Sequence, residues 1–428
     1  ADGDWSSDVC SSDLGPRVDG ERRRRPDRHR PSVPRPATRP TDTARAGGAG
    51  GTDGWELSVR PPSPDPDPTV NPIRDDGRRA VLLWLGAATA VLLFLFAVRL
   101  LGTATGALSP LLDRLLRRLA DGDAAALGLG WLAAYVLANG SVVAALAVSL
   151  FDAGLLTRSQ LFVTVAGSRL GGAAVVVFVG GVDYLQKRSH SLGRSLSLGM
   201  LSFLLTHSVY LPATALGYLL LGTAVDDRVG ALSLVLPGGR PLGVFEAATT
   251  AIVASVGAAP GFLLAVLALF AGLRLFDRVL SRADTEWLRQ TFFSRLQRTW
   301  TSFLVGLVLT ALTTSVAFSL GVVVPLYNRD YVTREEMLPY VLGANVGTLF
   351  DTLVVAVVLD SPEGVGVVLF LLGLSLVVTL AALLAVGPYG DGVERVHDRL
   401  IADRRSLLAA LLVLLLAPLA LLVLPQLV

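Results

Sequence analysis

The sequence predicts an all-α polytopic membrane protein made of two inverted-topology repeats with re-entrant hairpins and broken helices. Three observations lead there. Apolar runs of about 20 residues, the length that crosses a bilayer core, recur from Ala80 onward. Hydrophobic residues make up 52% of the chain and charged ones only 17%, with a mean hydropathy of +0.58, a balance that excludes an ordinary soluble domain. The third observation is an event that occurs twice. A long apolar stretch is interrupted at its centre by small polar residues, Asn139-Gly140-Ser141 and later Thr313-Thr314-Ser315. Each is followed by a stretch with a Gly-x-x-x-Gly break, Gly167 to Gly171 and Gly343 to Gly347. Hydrocarbon cannot solvate an open backbone, so interrupted helices survive at membrane depth only where protein buries them or where they line a wet cavity. Two breaks in corresponding halves point to a midplane binding site.

Residues 1–79 stand apart. Asp4 to Leu14 reads as a translated sequencing adapter, and Gly15 to Arg79 is rich in Arg, Pro, Asp and Gly, too polar to bury a core. This segment is expected to be a disordered extension without function, and its sparse aromatics argue against a nucleic-acid-binding arm. Cys10, the single cysteine, lies within it, so the chain offers neither a disulfide nor a thiolate metal site.

From Ala80 the apolar segments fall at about 80–101, 124–150, 159–182, 195–221, 247–276, 300–325, 336–359, 365–387 and 405–427, with helix-sized lengths. They divide into a first repeat over 80–222, a connecting segment over 223–259, a second repeat over 260–387, and a basic loop with a C-terminal helix over 388–428. Pro260-Gly261 should split 247–276 into a half-helix and a span. Leu111–Leu119 and Arg282–Arg298 are amphipathic and could lie in the interface plane. Loops around Lys187 and Arg188, Arg274 to Arg298, and Arg395 to Arg405 carry the positive charge, which places them on the cytoplasmic side. With that assignment 300–325 must turn back near Thr313 to Ser315, and 124–150 must turn back from the opposite side. Arg114, Arg117 and Arg118 would then be external, against the usual bias.

Internal repetition gives the same division. Thr157-Arg158-Ser159-Gln160 aligns with Thr333-Arg334-Glu335-Glu336, Gly167 with Gly343, and Gly171 with Gly347. Ser141 pairs with Ser315 if a two-residue gap is allowed. Leu95-Phe96-Ala97 matches Leu269-Phe270-Ala271. Ordered matches at polar and glycine positions exceed what low complexity alone supplies.

The chemistry of the tips follows from their residue types. Hydroxyls, amides and the freed N–H groups of half-helix N-termini form a partially positive cradle for an oxyanion, and freed carbonyls suit a sodium ion. The substrate-binding candidates are Asn139, Gly140, Ser141, Arg169, Thr313, Thr314 and Ser315. The cation-binding candidates are Asn345, Thr348 and Asp351. Small residues and hydroxyls also simply let helices approach closely, which is the competing reading for any one of them. Arg169 and Asp351 are costly at membrane depth. Either they clamp an anion and hold a cation or proton, or they form a salt bridge with each other. No second intramembrane aspartate is recognised beside Asp351. His207, among Thr206, Ser208 and Tyr210, reads as an interhelical hydrogen bonder, with a proton relay as the sharper alternative. His190 and His397 lie in basic loops and should be solvated.

At these residues the chain resembles the sodium-dependent phosphate cotransporters. Their two inverted repeats each carry Gln-Ser-Ser-Ser and then Gly-Ala-Asn-Ile-Gly-Thr-Thr. Here Leu312-Thr313-Thr314-Ser315 and Gly343-Ala344-Asn345-Val346-Gly347-Thr348 take those places in the second repeat. Ala138-Asn139-Gly140-Ser141 and Gly167-Ser168-Arg169-Leu170-Gly171 take them in the first. The resemblance spans residues 90 to 385. Both glutamines are replaced, by Ala138 and Leu312, and Arg169 stands where the first repeat would have asparagine.

The resemblance implies a secondary active transporter that couples sodium to inorganic phosphate or a similar small anion, set as a multi-pass protein in a prokaryotic plasma membrane. No cofactor is implied, sodium being the coupling ion, and no nucleic acid; self-association into a homo-oligomer is compatible with it. The chain carries no His-Glu-x-x-His, Gly-x-Ser-x-Gly or Walker lysine motif, so enzyme classes fall away. The alternative is a non-transporting membrane scaffold or sensor that keeps the fold with a degraded site.

Overall fold

The computed structural model describes residues 72–119, 121–187, 192–223, 225, 227–228, 231, 240–282, 298–316, 318–319, 322–323 and 333–426. Residues 1–71 and the amphipathic stretch within Arg282–Arg298 fall outside the described residues, apart from the ends of the latter. The described residues are helices and their connecting turns, with no strand among them. Among the described residues seven helices are long and apolar enough to cross a membrane: Val81–Leu119, Arg158–Phe178, Gly199–Leu220, Ala258–Leu280, Glu336–Val358, Pro362–Leu384 and Arg404–Val423.

Helix α1 (Pro72–Leu119) starts with proline at the first helical position, where a missing N–H costs nothing. Residues 72–79, placed with the disordered extension on sequence grounds, are therefore helical: the apolar run behind them carries the helix back through their charges. Nor is Leu111–Leu119 a separate interfacial helix. It continues α1 through Pro110. Proline cannot donate to the Gly106 carbonyl, and the Ser109 hydroxyl donates to it instead at 2.9 Å, so that carbonyl stays satisfied.

Helices α2 (Asp123–Leu137) and α3 (Gly140–Asp152) are each shorter than a membrane span and meet at Ala138-Asn139. Helix α4 (Arg158–Lys187) and α5 (Leu192–Leu220) follow. After a 3-10 turn over Arg240–Phe245 come α6 (Glu246–Val256) and α7 (Ala258–Leu280). The expected half-helix and span are thus present, but the break falls at Gly257, whose φ of 91° suits glycine. Pro260 sits inside the first turn of α7, where it needs no donor.

The second half contains α8 (Thr299–Thr313), α9 (Arg334–Gly347), α10 (Leu349–Val358) and α11 (Pro362–Leu384). Helices α12 (Val386–Ala402) and α13 (Arg404–Val423) close the chain. Sequence reading left α12 as a basic loop with a solvated His397. It is a helix on which His397 is only 3% exposed, its Nδ1 lying 3.0 Å from the Asp398 carboxylate. Tyr389 fastens α12 to α5 through a 2.6 Å hydroxyl contact with Ser208.

Two helix pairs repeat the same contact. Helix α4 packs on α2, and α9 packs on α8. In the first pair a Cβ on Gly130, Gly167 or Gly171 would run into the carbonyl oxygen of Thr164, Leu127 or Trp131. In the second, a Cβ on Gly306, Gly343 or Gly347 would meet those of Tyr340, Phe303 and Leu307. Every one of these positions is related to its counterpart by a single constant offset, that from Gly130 to Gly306. The helix starts obey it too: Asp123 maps on Thr299 and Arg158 on Arg334. So do the caps. Thr157 Oγ1 accepts from the Gln160 N–H while Thr157 N–H donates to Gln160 Oε1, and Thr333 with Glu336 forms the same box.

This geometry corrects one expectation. The Gly-x-x-x-Gly segments are not breaks. Gly167 to Gly171 lie mid-way in continuous α4. After Gly347 only Thr348 intervenes before α10, itself right-handed with its N–H donating to the Ala344 carbonyl. The glycines serve close approach of two backbones, which in lipid is the main source of helix association.

Candidate functional site

The real interruptions are the hairpin tips, and both are built alike. Ala138 ends α2 with φ 48° and Thr314 ends α8 with φ 49°, left-handed conformations that L-residues adopt only at a cost. The next residue in each case caps the following helix. Asn139 Oδ1 accepts from the Val142 N–H at 3.0 Å, and Ser315 Oγ accepts from the Phe318 N–H at 3.1 Å. Asn139 and Ser315 are related by the same offset as the glycines. The gapped pairing of Ser141 with Ser315 is therefore a misalignment, caused by matching residue type where the backbone matches position.

The two tips share one cavity of about 330 Å³. Ala138, Asn139, Gly140 and Ser141 line it from the first tip; Thr314, Ser315 and Val316 line it from the second. Ser168 and Arg169 of α4 and Asn345 and Thr348 of α9 and its end complete the wall contributed by the repeated units. Gly140 is needed here, because a Cβ would strike the Ser168 carbonyl. Of the sequence candidates, Thr313 and Asp351 are not on the wall. Thr313 donates its hydroxyl to the Leu309 carbonyl of its own helix. Asp351 lies one turn behind, 2% exposed.

Arg169 reaches from the wall to Asp351. Its Nη2 donates to Asp351 Oδ1 at 2.8 Å and also to Thr352 Oγ1, while Thr352 Oγ1 donates to the same carboxylate oxygen at 2.8 Å. The salt bridge weighed on sequence grounds is thus present. It leaves Arg169 Nε and Asp351 Oδ2 buried without a partner.

Asn345 is held from several sides. Tyr210 Oη donates to its backbone carbonyl at 2.8 Å, as does Thr348 Oγ1 at 2.7 Å. Thr206 Oγ1 lies 3.1 Å from its Oδ1 and 2.9 Å from the Ser202 carbonyl. The Asn345 Nδ2 is buried and unpartnered. Because the Asn345 carbonyl already accepts two hydrogen bonds, it is not one of the freed carbonyls expected at this turn.

Sequence reasoning missed part of the wall. Ser202, Thr206 and Tyr210 of α5 line the cavity; their spacing of four places them on one face of a helix, a signal that was legible. Leu273, Phe276 and Asp277 of α7 do as well. Asp277 lies near the C-terminal end of α7, a helix long and apolar enough to cross a membrane, and was not among the sequence candidates. Its neighbours Arg274 and Arg278 made the segment read as a loop.

His207 stands apart from the cavity wall. Its Nδ1 lies 2.9 Å from the Phe203 carbonyl in the same helix, and its ring stacks on Phe203 with centroids 3.7 Å apart and packs near Trp131 at 5.4 Å. It is an aromatic packing residue, where an interhelical hydrogen bond was expected. Leu312, the place of the second missing glutamine, is 75% exposed on the outside of the protein.

Among the described residues no group of three or more His, Cys, Asp or Glu side chains could hold a metal ion. What the wall offers is an uncharged polar tip on each side, one guanidinium, one carboxylate and two buried donors without acceptors. Buried donors without acceptors are costly.

Residues 268–387 match the family model described as Na+/Pi-cotransporter. No curated protein and no solved structure matches the chain. The matched stretch runs from α7 through α11 and contains the second tip, Asn345, Thr348, Asp351 and Asp277; the first tip repeats the second at constant offset. Over residues 268–387 the chain is thus similar to the Na+/Pi-cotransporter family.

Proposed function

We propose that this protein is a sodium-coupled symporter of inorganic phosphate or a similar small anion, binding it between the two hairpin tips. The similarity of residues 268–387 to the Na+/Pi-cotransporter family supports sodium and phosphate as the transported pair. The observation that carries the reading is the pair of buried, unpartnered donors on two residues that line the cavity, Arg169 Nε and Asn345 Nδ2. An oxyanion is the ligand whose chemistry matches them, since a guanidinium presents its donors in a fixed fork to phosphate oxygens. Ser315 accepts from its cap N–H and keeps its own hydroxyl proton to donate. The start of α3 at Gly140 adds its dipole to the same point.

Sodium would take the oxygen donors on the carboxylate side, around Asp351, Thr352 and Thr348, and Asp277 draws cations to the cavity. The repeated tips fit an alternating-access cycle in which the two copies, inverted in the membrane, move against each other. The setting is a cell membrane.

Uptake of radiolabelled phosphate into proteoliposomes tests this reading. With an inward sodium gradient, uptake should exceed that of empty liposomes and should collapse when the gradient is removed. Equal uptake with and without protein identifies the chain as a non-transporting scaffold and ends the proposal.

A further inference from the structure

The Arg169 and Asp351 side chains are 6% and 2% exposed, and each has a polar atom in use and another that is buried without a partner. Arg169 spends Nη2 on Asp351 and Thr352, while Nε has no partner. Asp351 spends Oδ1, while Oδ2 has none. Arg169 is on the cavity wall and Asp351 is behind it. The pair also joins α4, from the first copy, to α10, from the second. Asn345, the counterpart of Arg169 under the constant offset, is a neutral amide, so the fixed positive charge is present in one copy only.

We propose that this ion pair is the coupling device: anion and sodium bind together because each displaces one half of it. The inference rests on the symport reading above. An oxyanion in the cavity is attracted to the guanidinium and draws it from Asp351. A carboxylate that is 2% exposed cannot stay charged and alone. Sodium then replaces the guanidinium, with Asp351 Oδ2 and Thr352 Oγ1 as hard oxygen donors. In the reverse order, sodium on Asp351 releases Arg169 to the cavity. Without either ligand the two side chains neutralise each other, so a lone sodium ion competes with Arg169 and a lone phosphate competes with Asp351. Linkage makes the two effects equal in size.

Charge deletion then gives crossed phenotypes. Asp351→Asn removes the competitor for Arg169, so phosphate binds without help from sodium. Arg169→Gln removes the competitor for Asp351, so sodium binds without help from phosphate, while phosphate itself binds poorly.

The test is equilibrium binding of radiolabelled phosphate and of radiolabelled sodium to the purified full chain in detergent. In the parent protein, saturating sodium should tighten phosphate by about tenfold, and saturating phosphate should tighten sodium by the same factor. In Asp351→Asn the sodium effect on phosphate should vanish, with sodium-free phosphate affinity at least equal to that of the sodium-saturated parent. In Arg169→Gln the phosphate effect on sodium should vanish. An Asp351→Asn protein that keeps the full sodium effect overturns the proposal. So does a parent protein that binds both ligands without mutual effect, a measurement that needs no variant to fold. A parent that binds neither ligand removes the symport reading itself, a result distinct from binding without coupling.

Discussion

Arg169 Nη2 and Asp351 Oδ1 meet at 2.8 Å inside the protein, tying α4 of one repeated unit to α10 of the other. Breaking a buried pair by removing one partner leaves an uncompensated charge, which costs about 3 to 5 kcal/mol. Asp351→Ala should therefore lower the melting temperature in detergent strongly. The double variant Arg169→Met/Asp351→Leu should melt closer to the parent than that single variant. A double variant less stable than Asp351→Ala would mean that the pair contributes more than mutual neutralisation.

Gly167 and Gly343 occupy equivalent points where two backbones touch. Alanine at either should force α4 from α2, or α9 from α8, at a cost of about 1 to 3 kcal/mol or more, as overpacking does. Gly106→Ala is the control, since nothing lies within 4 Å of its Cβ; there helix propensity predicts a small gain. Thermal unfolding of the three variants should separate the two close-contact glycines from the control.

The Asn345 amide neighbours Thr206, and its backbone carbonyl accepts from Tyr210. Thr206→Val and Tyr210→Phe each delete one hydrogen bond worth about 1 kcal/mol. Phosphate affinity should fall several-fold in each while the fold persists. Unchanged affinity in both would remove Asn345 from the binding wall.

Thr313 and Ser315 are neighbours in sequence but differ in role. Thr313 spends its hydroxyl on Leu309, so Thr313→Val should leave phosphate uptake near the parental rate. Ser315→Ala deletes the cap on the Phe318 N–H, a loss of about 1 kcal/mol, and should also weaken phosphate binding. Equal defects in the two would contradict the assignment of the wall.

Asp277 places a carboxylate on the cavity wall. Under the proposed function it serves to attract cations, an effect that falls off slowly in a low-dielectric cleft. Asp277→Asn should raise the sodium concentration needed for half-maximal uptake several-fold. A decrease would show that Asp277 opposes the anion without serving the cation.

The tips were legible because a bilayer tolerates polar punctuation only where the backbone turns, and Asn139 and Ser315 are cap-forming residues at those turns. The glycine spacing was visible but its meaning was not: Gly-x-x-x-Gly is compatible with a break and with close packing, and only coordinates place the Leu127 and Phe303 carbonyls against it. The pairing of Ser141 with Ser315 followed residue identity, whereas a repeat keeps backbone conformation, seen in Ala138 and Thr314. Asp277 was hidden by Arg274 and Arg278, whose charges point elsewhere on the same helix surface. The α5 wall was overlooked because His207 drew attention from Ser202, Thr206 and Tyr210, which share a face it does not. That Arg169 reaches Asp351 was one of two readings, and no local pattern chooses between them.

The central claim is that both tips face one anion-binding cavity. Single cysteines at Ser141 and Val316, each in a Cys10→Ser background, can be alkylated with a maleimide in the presence of sodium, with and without phosphate. The account predicts that phosphate slows labelling at both positions and does not slow it at a cysteine replacing Val136, which is 83% exposed on the outer surface. Protection at only one tip, or at neither, would contradict it.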